Sequence, residues 1–427
     1  MSLARRASID IQYENENITE AIEKDLKTFS YTDVASGESD SISLSVMDRE
    51  GKWMRGWMPD KGSHIRVDIR FRDWQMAGDN WGMYCGEFEV DDVSVSGPPA
   101  TCTIGAVSIP RSEAFNEEER TKNWENVTVQ EIALEIAERA GVNLICKVEE
   151  IPIRAIEQDK QTDCKFLYAV CEKYGLALKV FSGHIVIFDE AECEAAAPVA
   201  TLYCEDFTKY RYNSTLAGTY TGAKIAYTDP GTGEDHMVVV GGGNRIMEIN
   251  EEADSAADAQ RKAVAALNNA NKKDVTFSGT VMARKELIAS QCIEISGFGN
   301  QDGIYYLDSV VTKIGGNSAS QMTISAHRTG YRMDNATVTI DQIPVKKDVG
   351  PGITYIVVKG DTLWSIAKQL LSSPLRYAEI YNLNKEEIES AAQERGKKDS
   401  SNGHWIFPGT ELQIPAAESE EVEDAKQ

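Results

Sequence analysis

Along residues 1–110 apolar and polar positions alternate in short runs: Ile42-Ser-Leu-Ser-Val46, Ile65-Arg-Val-Asp-Ile69, Phe88-Glu-Val90 with Val93-Ser-Val95, and Thr101 to Ile109. A period of two puts alternate side chains on one face of a strand. Glycine and proline separate the runs, so this block predicts a small antiparallel barrel or sandwich. The period changes over 111–200. Thr128-Val-Gln-Glu131 is a capping box. Ile132, Ile136 and Ala140 continue at helical spacing, and Gly141 stops the helix. A second helix starts at Thr162-Asp163, carries Phe166, Leu167, Val170 and Tyr174, and stops at Gly175. Strands from Leu176 to Phe181 and from His184 to Phe188, joined by a Ser182-Gly183 turn, complete an α/β unit. Residues 201–340 return to strands: Val275 to Val281, Cys292 to Ser296, Ile304 to Ile314 and Gln321 to His327. One helix, Asp254 to Asn271, interrupts them.

A linker over 341–353 leads to a different pattern. Tyr355 to Val358 suits a strand. Gly360-Asp361 supplies a turn, and Thr362 caps a helix whose apolar face is Leu363, Ile366, Ala367 and Leu370. A second helix is expected from Leu375 to Leu383, with Tyr377, Ile380 and Tyr381 inward. Pro408-Gly409 turns the chain into a last strand, Glu411 to Ile414. Between Asn384 and Phe407, Lys385 to Arg395 is strongly helix-forming and Gly396 to Gly403 reads as a flexible loop. The acidic tail, Glu418 to Gln427, is expected to be disordered.

At 427 residues the chain has room for two to four domains. A content of 42% hydrophobic and 26% charged residues is that of a globular protein. No apolar run approaches membrane-spanning length. The opening MSLARRASIDIQYENE lacks the apolar core of a secretory signal, so folding in the cytoplasm is expected. Net charge is −24, from 68 acidic against 44 basic residues. This argues against nucleic-acid binding and leaves two readings, plain solubility or a conduit surface that repels DNA. The eight cysteines (85, 102, 146, 164, 171, 193, 204 and 292) form no C-x-x-C pair. They read as small buried apolar residues in a reducing compartment.

Catalytic chemistry is not legible. The five histidines (64, 184, 236, 327 and 404) are scattered, with no H-E-x-x-H. Gly241-Gly-Gly-Asn244 lacks the lysine and hydroxyl of a phosphate loop. Gly297-Phe-Gly-Asn-Gln-Asp-Gly303 is followed by a strand, so the helix N-terminus that would hold a phosphate is missing. Asp229-Pro-Gly-Thr-Gly-Glu-Asp235 departs from a calcium-binding loop and reads as a hairpin tip. No catalytic residue, cofactor or metal is assigned. Trp53, Trp57, Trp74 and Trp81 cluster early. Trp53 and Trp57 are candidate interface anchors, and a place in the core fits them equally.

Two resemblances add to this reading. Tyr355-Ile-Val-Val-Lys-Gly-Asp-Thr-Leu-Trp-Ser-Ile-Ala, Ile380-Tyr-Asn-Leu-Asn384, Phe407-Pro-Gly409 and Leu412-Gln-Ile-Pro415 resemble a LysM module over 354–415. The resemblance implies peptidoglycan-type glycan binding or a joint between tail proteins. Contacts would fall on Gly360, Asp361, Thr362 and Leu363 in one wall, and on Asn382, Leu383, Asn384, Pro408 and Gly409 beside the insertion. Gln161-Thr-Asp-Cys-Lys-Phe-Leu-Tyr-Ala-Val-Cys-Glu-Lys-Tyr-Gly-Leu and the stretches Cys292 to Gly299 and Asp302 to Val311 resemble the phage late control protein D family.

That family implies an α+β, mainly β fold, in which two antiparallel barrels (1–110 and 201–340) flank the α/β insert 111–200. It further implies a structural, non-enzymatic hub of a contractile tail. Such a hub is a homotrimeric ring between tube and spike, with tube, spike, tape-measure and wedge or baseplate proteins as partners. It would assemble in the host cytoplasm and reside in the virion or tail particle. On this reading the LysM module docks a neighbouring tail protein. The alternative is a peptidoglycan-binding protein acting through the same module.

Overall fold

The computed structural model describes residues 5–108, 113–228, 235–315, 320–329, 338–342, 351–371, 376–400, 403 and 405–415. Most of the expected linker (343–350), the tip 229–234 and the acidic tail lie outside them. The chain divides into two units, Met1–Gln342 and Ile343–Gln427.

The first unit is built on a thirteen-stranded sheet. From one end it runs Phe207–Ser214, Val275–Met282, Gln321–Arg328, Gly303–Gly315, Leu26–Val34, Ser41–Met47, Thr101–Val107, Trp81–Ser96, His64–Arg72, Arg6–Tyr13 and Glu16–Asn17, with Cys292–Ser296 and Thr201–Tyr203 branching from Gly303–Gly315. The alternation seen in the sequence becomes burial: in Ser41–Met47, Ile42, Leu44 and Val46 are buried while the serines between them are half-buried. Phe88-Glu-Val90 and Val93-Ser-Val95 belong to one strand, Trp81–Ser96, whose register against Thr101–Val107 shifts between Val90 and Asp92. A bulge of this kind bends a long strand without ending it.

The two β blocks are joined. Leu26–Val34 of the first pairs with Gly303–Gly315 of the second, with Val34 opposite Ser309 and Thr28 opposite Gly315. One apolar cluster runs through both, taking in Phe29, Ile69 and Phe88 from the first block and Phe277, Tyr305 and Ile324 from the second. The second block also holds a separate four-stranded sheet that includes Gly222–Thr228, Asp235–Gly241 and Ile246–Ile249. The helix Ala256–Asn271 covers it through Ala259, Ala263 and Leu267.

The insert has its own core. Helix Val129–Ala140 begins at the expected capping box: Glu131 N donates to Thr128 Oγ1 (3.1 Å) and Thr128 N to Glu131 Oε2 (2.8 Å). Gly141 ends it with φ +67°, a left-handed conformation open to glycine. Helix Asp163–Lys173 is capped by Thr162. Helix Asp163–Lys173 packs on Leu176–Phe181 and helix Val129–Ala140 on Asn143–Lys147, in a three-stranded sheet with His184–Asp189, and Ile136, Leu167, Leu178 and Ile187 share one core. A ribbon of Glu119–Thr128 with Pro152–Thr162 completes the insert.

The second unit pairs Pro351–Ile356 with Glu411–Pro415. Among the described residues, three helices follow the first of these strands: Leu363–Leu370, Tyr377–Leu383 and Lys385–Glu394. Val357, Leu363, Ile366, Ile380, Ile388, Leu412 and Ile414 form its core.

Candidate functional site

In the second unit the turn before the first helix is held by Asp361. Its Oδ2 accepts from the Tyr355 hydroxyl (2.8 Å) and from Val358 N (2.9 Å). The hydrogen bond from Tyr355 to that carboxylate raises the Tyr355 hydroxyl above its ordinary range. Gly360 takes φ +101° beside it. Thr362 caps the helix, accepting from Ser365 N at 3.0 Å, and Ser365 Oγ returns a bond from Thr362 N at 3.0 Å. Leu363 points into the core at 3% exposure. Gly360 and Thr362 are exposed and Asp361 is half-buried.

The residues expected opposite divide by burial. Asn382, Leu383, Pro408 and Gly409 are exposed. Asn384 is buried, and its amide joins the second helix to the last strand. Nδ2 donates to Ile380 O and Gln413 O, both at 2.7 Å, and Oδ1 accepts from Gln413 N at 2.5 Å. Its polar atoms serve the fold.

The described part of the insertion, 385–400 with 403 and 405, packs against the two preceding helices. Its helix buries Ile388 and Ala392. Glu389 is the centre of a network: Oε1 accepts from the Tyr381 hydroxyl (2.8 Å) and from Ser400 Oγ, while Oε2 accepts from Ser400 N (2.9 Å). These bonds hold the Glu389 carboxyl below its ordinary range. Ser400 Oγ accepts from Gly403 N at 2.9 Å. Gly403 has φ +81°, and a Cβ there would stand 2.5 Å from Leu363 Cδ1 and 2.9 Å from Tyr381 Cδ2. Gly403 is therefore in contact with both helices. Beside it Lys397 Nζ lies 4.2 Å from the ring centre of exposed Trp405, and Arg395 lies 4.7 Å from that of Phe407. Burial of Ile388 and Ala392 could have been anticipated from their four-residue spacing; the loop contact had no local signal.

In the first unit the two candidate tryptophans have different surroundings. Trp53 is 3% exposed and lies in the shared core, whereas Trp57 is 46% exposed. Their rings meet edge to face at 5.7 Å. Buried Asp48 fixes the loop by accepting from Trp53 N (3.1 Å) and Met54 N (3.2 Å). Lys52 Nζ lies 4.5 Å from the Trp57 ring centre. Met54, Trp57 and Met58 form an exposed apolar knuckle on this support.

Two further sequence candidates, His327 and Gly297–Gly303, find structural places, and His404 lies outside the described residues. His327 is buried between Asp308 Oδ1 (2.7 Å from Nδ1) and Glu194 Oε1 (3.0 Å from Nε2). Gly297–Gly303 connects two antiparallel strands through a single 3-10 turn, Gly299–Gln301. Among the described residues no cluster of histidine, cysteine and carboxylate side chains could hold a metal ion. Among them, too, no helix is long and apolar enough to cross a membrane.

Residues 355–415 match the LysM domain family. The chain carries a LysM domain. Elsewhere the similarity is to tail proteins. The probable baseplate hub protein of Escherichia phage 186 is 25% identical over 225 residues, 51% of this chain and 55% of that protein. Its counterpart in Escherichia phage P2 is 26% identical over 230 residues, 52% and 57% of the two chains. The chain thus spans a little over half the length of these curated relatives. The 43 kDa tail protein of prophage MuSo2 from Shewanella oneidensis has the same fold. It aligns with a TM-score of 0.58 at 16% identity, over 77% of this chain and all of that one. The helix expected over Lys385 to Arg395 is present as Lys385–Glu394 beside the second helix of this domain.

Proposed function

We propose that this chain is the structural hub of a contractile phage tail or a related injection particle, assembled as a homotrimeric ring between tube and spike. The carrying observation is the continuous sheet of the first unit, which has the fold of a prophage tail protein, in a chain similar to baseplate hub proteins. Tube, spike, tape-measure and wedge proteins are its partners on this reading, its place is the tail particle, and it has no hydrolase activity. The Met54–Trp57–Met58 knuckle supports a subunit contact, because a rigidly backed aromatic is what interface hot spots require. The test is the mass of the purified chain at micromolar concentration, with and without Trp57→Ala. A trimer weakened by the substitution is expected; a monomeric wild type overturns the ring.

The LysM domain serves this hub as a dock for a neighbouring tail protein. Two observations favour protein over glycan: Asn384 is consumed by the fold, and Gly403 rests against Leu363 and Tyr381. Deleting 354–415 should abolish particle assembly, and the full chain should not sediment with peptidoglycan sacculi. Normal particles from the deletion, together with sedimentation of the full chain, would establish the cell-wall reading instead.

A further inference from the structure

At the junction of the insert with the two β blocks, charged side chains are buried together. Asp33 lies on Leu26–Val34, Asp40 ends the loop after it, and Lys179 lies on Leu176–Phe181. Asp40 is fully buried, Asp33 is 6% exposed, and the Lys179 side chain is 16% exposed. Lys179 Nζ pairs with Asp33 Oδ1 and lies 3.3 Å from Asp40 Oδ1. Asp40 accepts from the Tyr31 hydroxyl (2.9 Å) and Val34 N (3.0 Å). Asp33 Oδ2 accepts from Ala289 N (2.8 Å), which belongs to the second block. Leu178 N donates to Ser36 Oγ at 3.0 Å, and Ser182 N to Ser108 Oγ at 3.2 Å. Three distant sections of chain therefore meet at one point.

The charge there does not balance. Two carboxylates face one ammonium, and a buried net charge is costly unless it is compensated. The other titratable groups near Asp40 are Tyr31 on its neighbouring strand, Cys85 on Trp81–Ser96, Tyr168 on Asp163–Lys173, and Glu38 in the same loop. None of these adds a cation.

We propose that Asp33, Asp40 and Lys179 form a proton-operated clamp, which takes up one proton in mildly acidic solution and tightens the insert onto both β blocks. Burial, offset in part by Lys179, pushes the Asp40 carboxyl up to about 6. The folded value lies above the ordinary one, so the stabilisation is fully present below the ordinary carboxylate range. It is lost as pH rises through about 6. One proton can change the unfolding equilibrium by up to about tenfold per pH unit within that window.

The experiment compares the full-length wild type with Asp40→Asn, a neutral isostere, by denaturant unfolding between pH 5 and pH 8. The wild type should lose stability relative to the variant as pH rises through about 6, and the gap should stay constant above about pH 7. Parallel profiles overturn the proposal. Should Asp40→Asn fail to fold, hydrogen exchange of the wild type decides, corrected for intrinsic rates. Slower exchange at pH 5.5 than at pH 7.5, confined to peptides over 31–41 and 176–182, is expected. A change shared equally by 129–140 overturns the clamp.

Discussion

At the residue scale, the buried amide of Asn384 ties the second helix of the LysM domain to its last strand. Asn384→Ala would strand the Gln413 N–H and remove two bonds to carbonyls. An unsatisfied buried donor costs about 1–3 kcal/mol. Tryptophan fluorescence during denaturant unfolding of the full chain should show the domain's transition at lower denaturant. Gly403→Ala should also be harmful, since the left-handed backbone and the 2.5 Å approach to Leu363 both exclude a Cβ. Faster proteolysis within 396–405 would report it. Some of this was legible: Gly360, Asp361 and Thr362 behave as their residue types predict, as a turn and a cap. Asn384 was not, because an asparagine at a helix end reads the same whether its amide meets solvent or a strand 29 residues on. Trp53 and Trp57 show the same limit, since two tryptophans four apart gave no sign of which would be buried.

At the element scale, caps and turns were readable because their chemistry is local. The Thr128–Glu131 box, the Thr162 cap and the Ser182-Gly183 hairpin all form where their residues predict. The Glu119–Thr128 ribbon was missed because ERTKNWENVT has no continuous apolar face to reveal it. The helix Lys385–Glu394 was expected, but its fastening to the loop was not. That fastening is sensitive to acid. The folded value of Glu389 is depressed, so its contribution is present above the ordinary carboxylate range and is lost as pH falls through the folded value. Hydrogen exchange over 389–400 should therefore rise on acidification, and Glu389→Gln should exchange quickly already at neutral pH. Equal protection in the two proteins at pH 7 would contradict the latch.

For the whole molecule, the expected order of β block, insert and β block holds, and what it could not convey is that the blocks share a sheet and a core. Periodicity reports which face of a strand is buried and nothing about its distant neighbour. The first block should therefore not stand alone. A fragment of residues 1–110 would leave the Gly303–Gly315 edge of Leu26–Val34 unpaired and Phe29 without its partners from the second block. Circular dichroism and size exclusion should find it aggregated or unfolded, whereas 1–342 gives one cooperative transition. The same pairing sets a timetable for synthesis. Val34 meets Ser309 only after the intervening 274 residues have been translated. At roughly 5–20 residues per second this takes on the order of 15–55 s. Through that interval the growing polypeptide offers the ribosome's surroundings an open strand edge, so the opening strands must wait for the last ones, and a holding chaperone has a defined moment at which to let go.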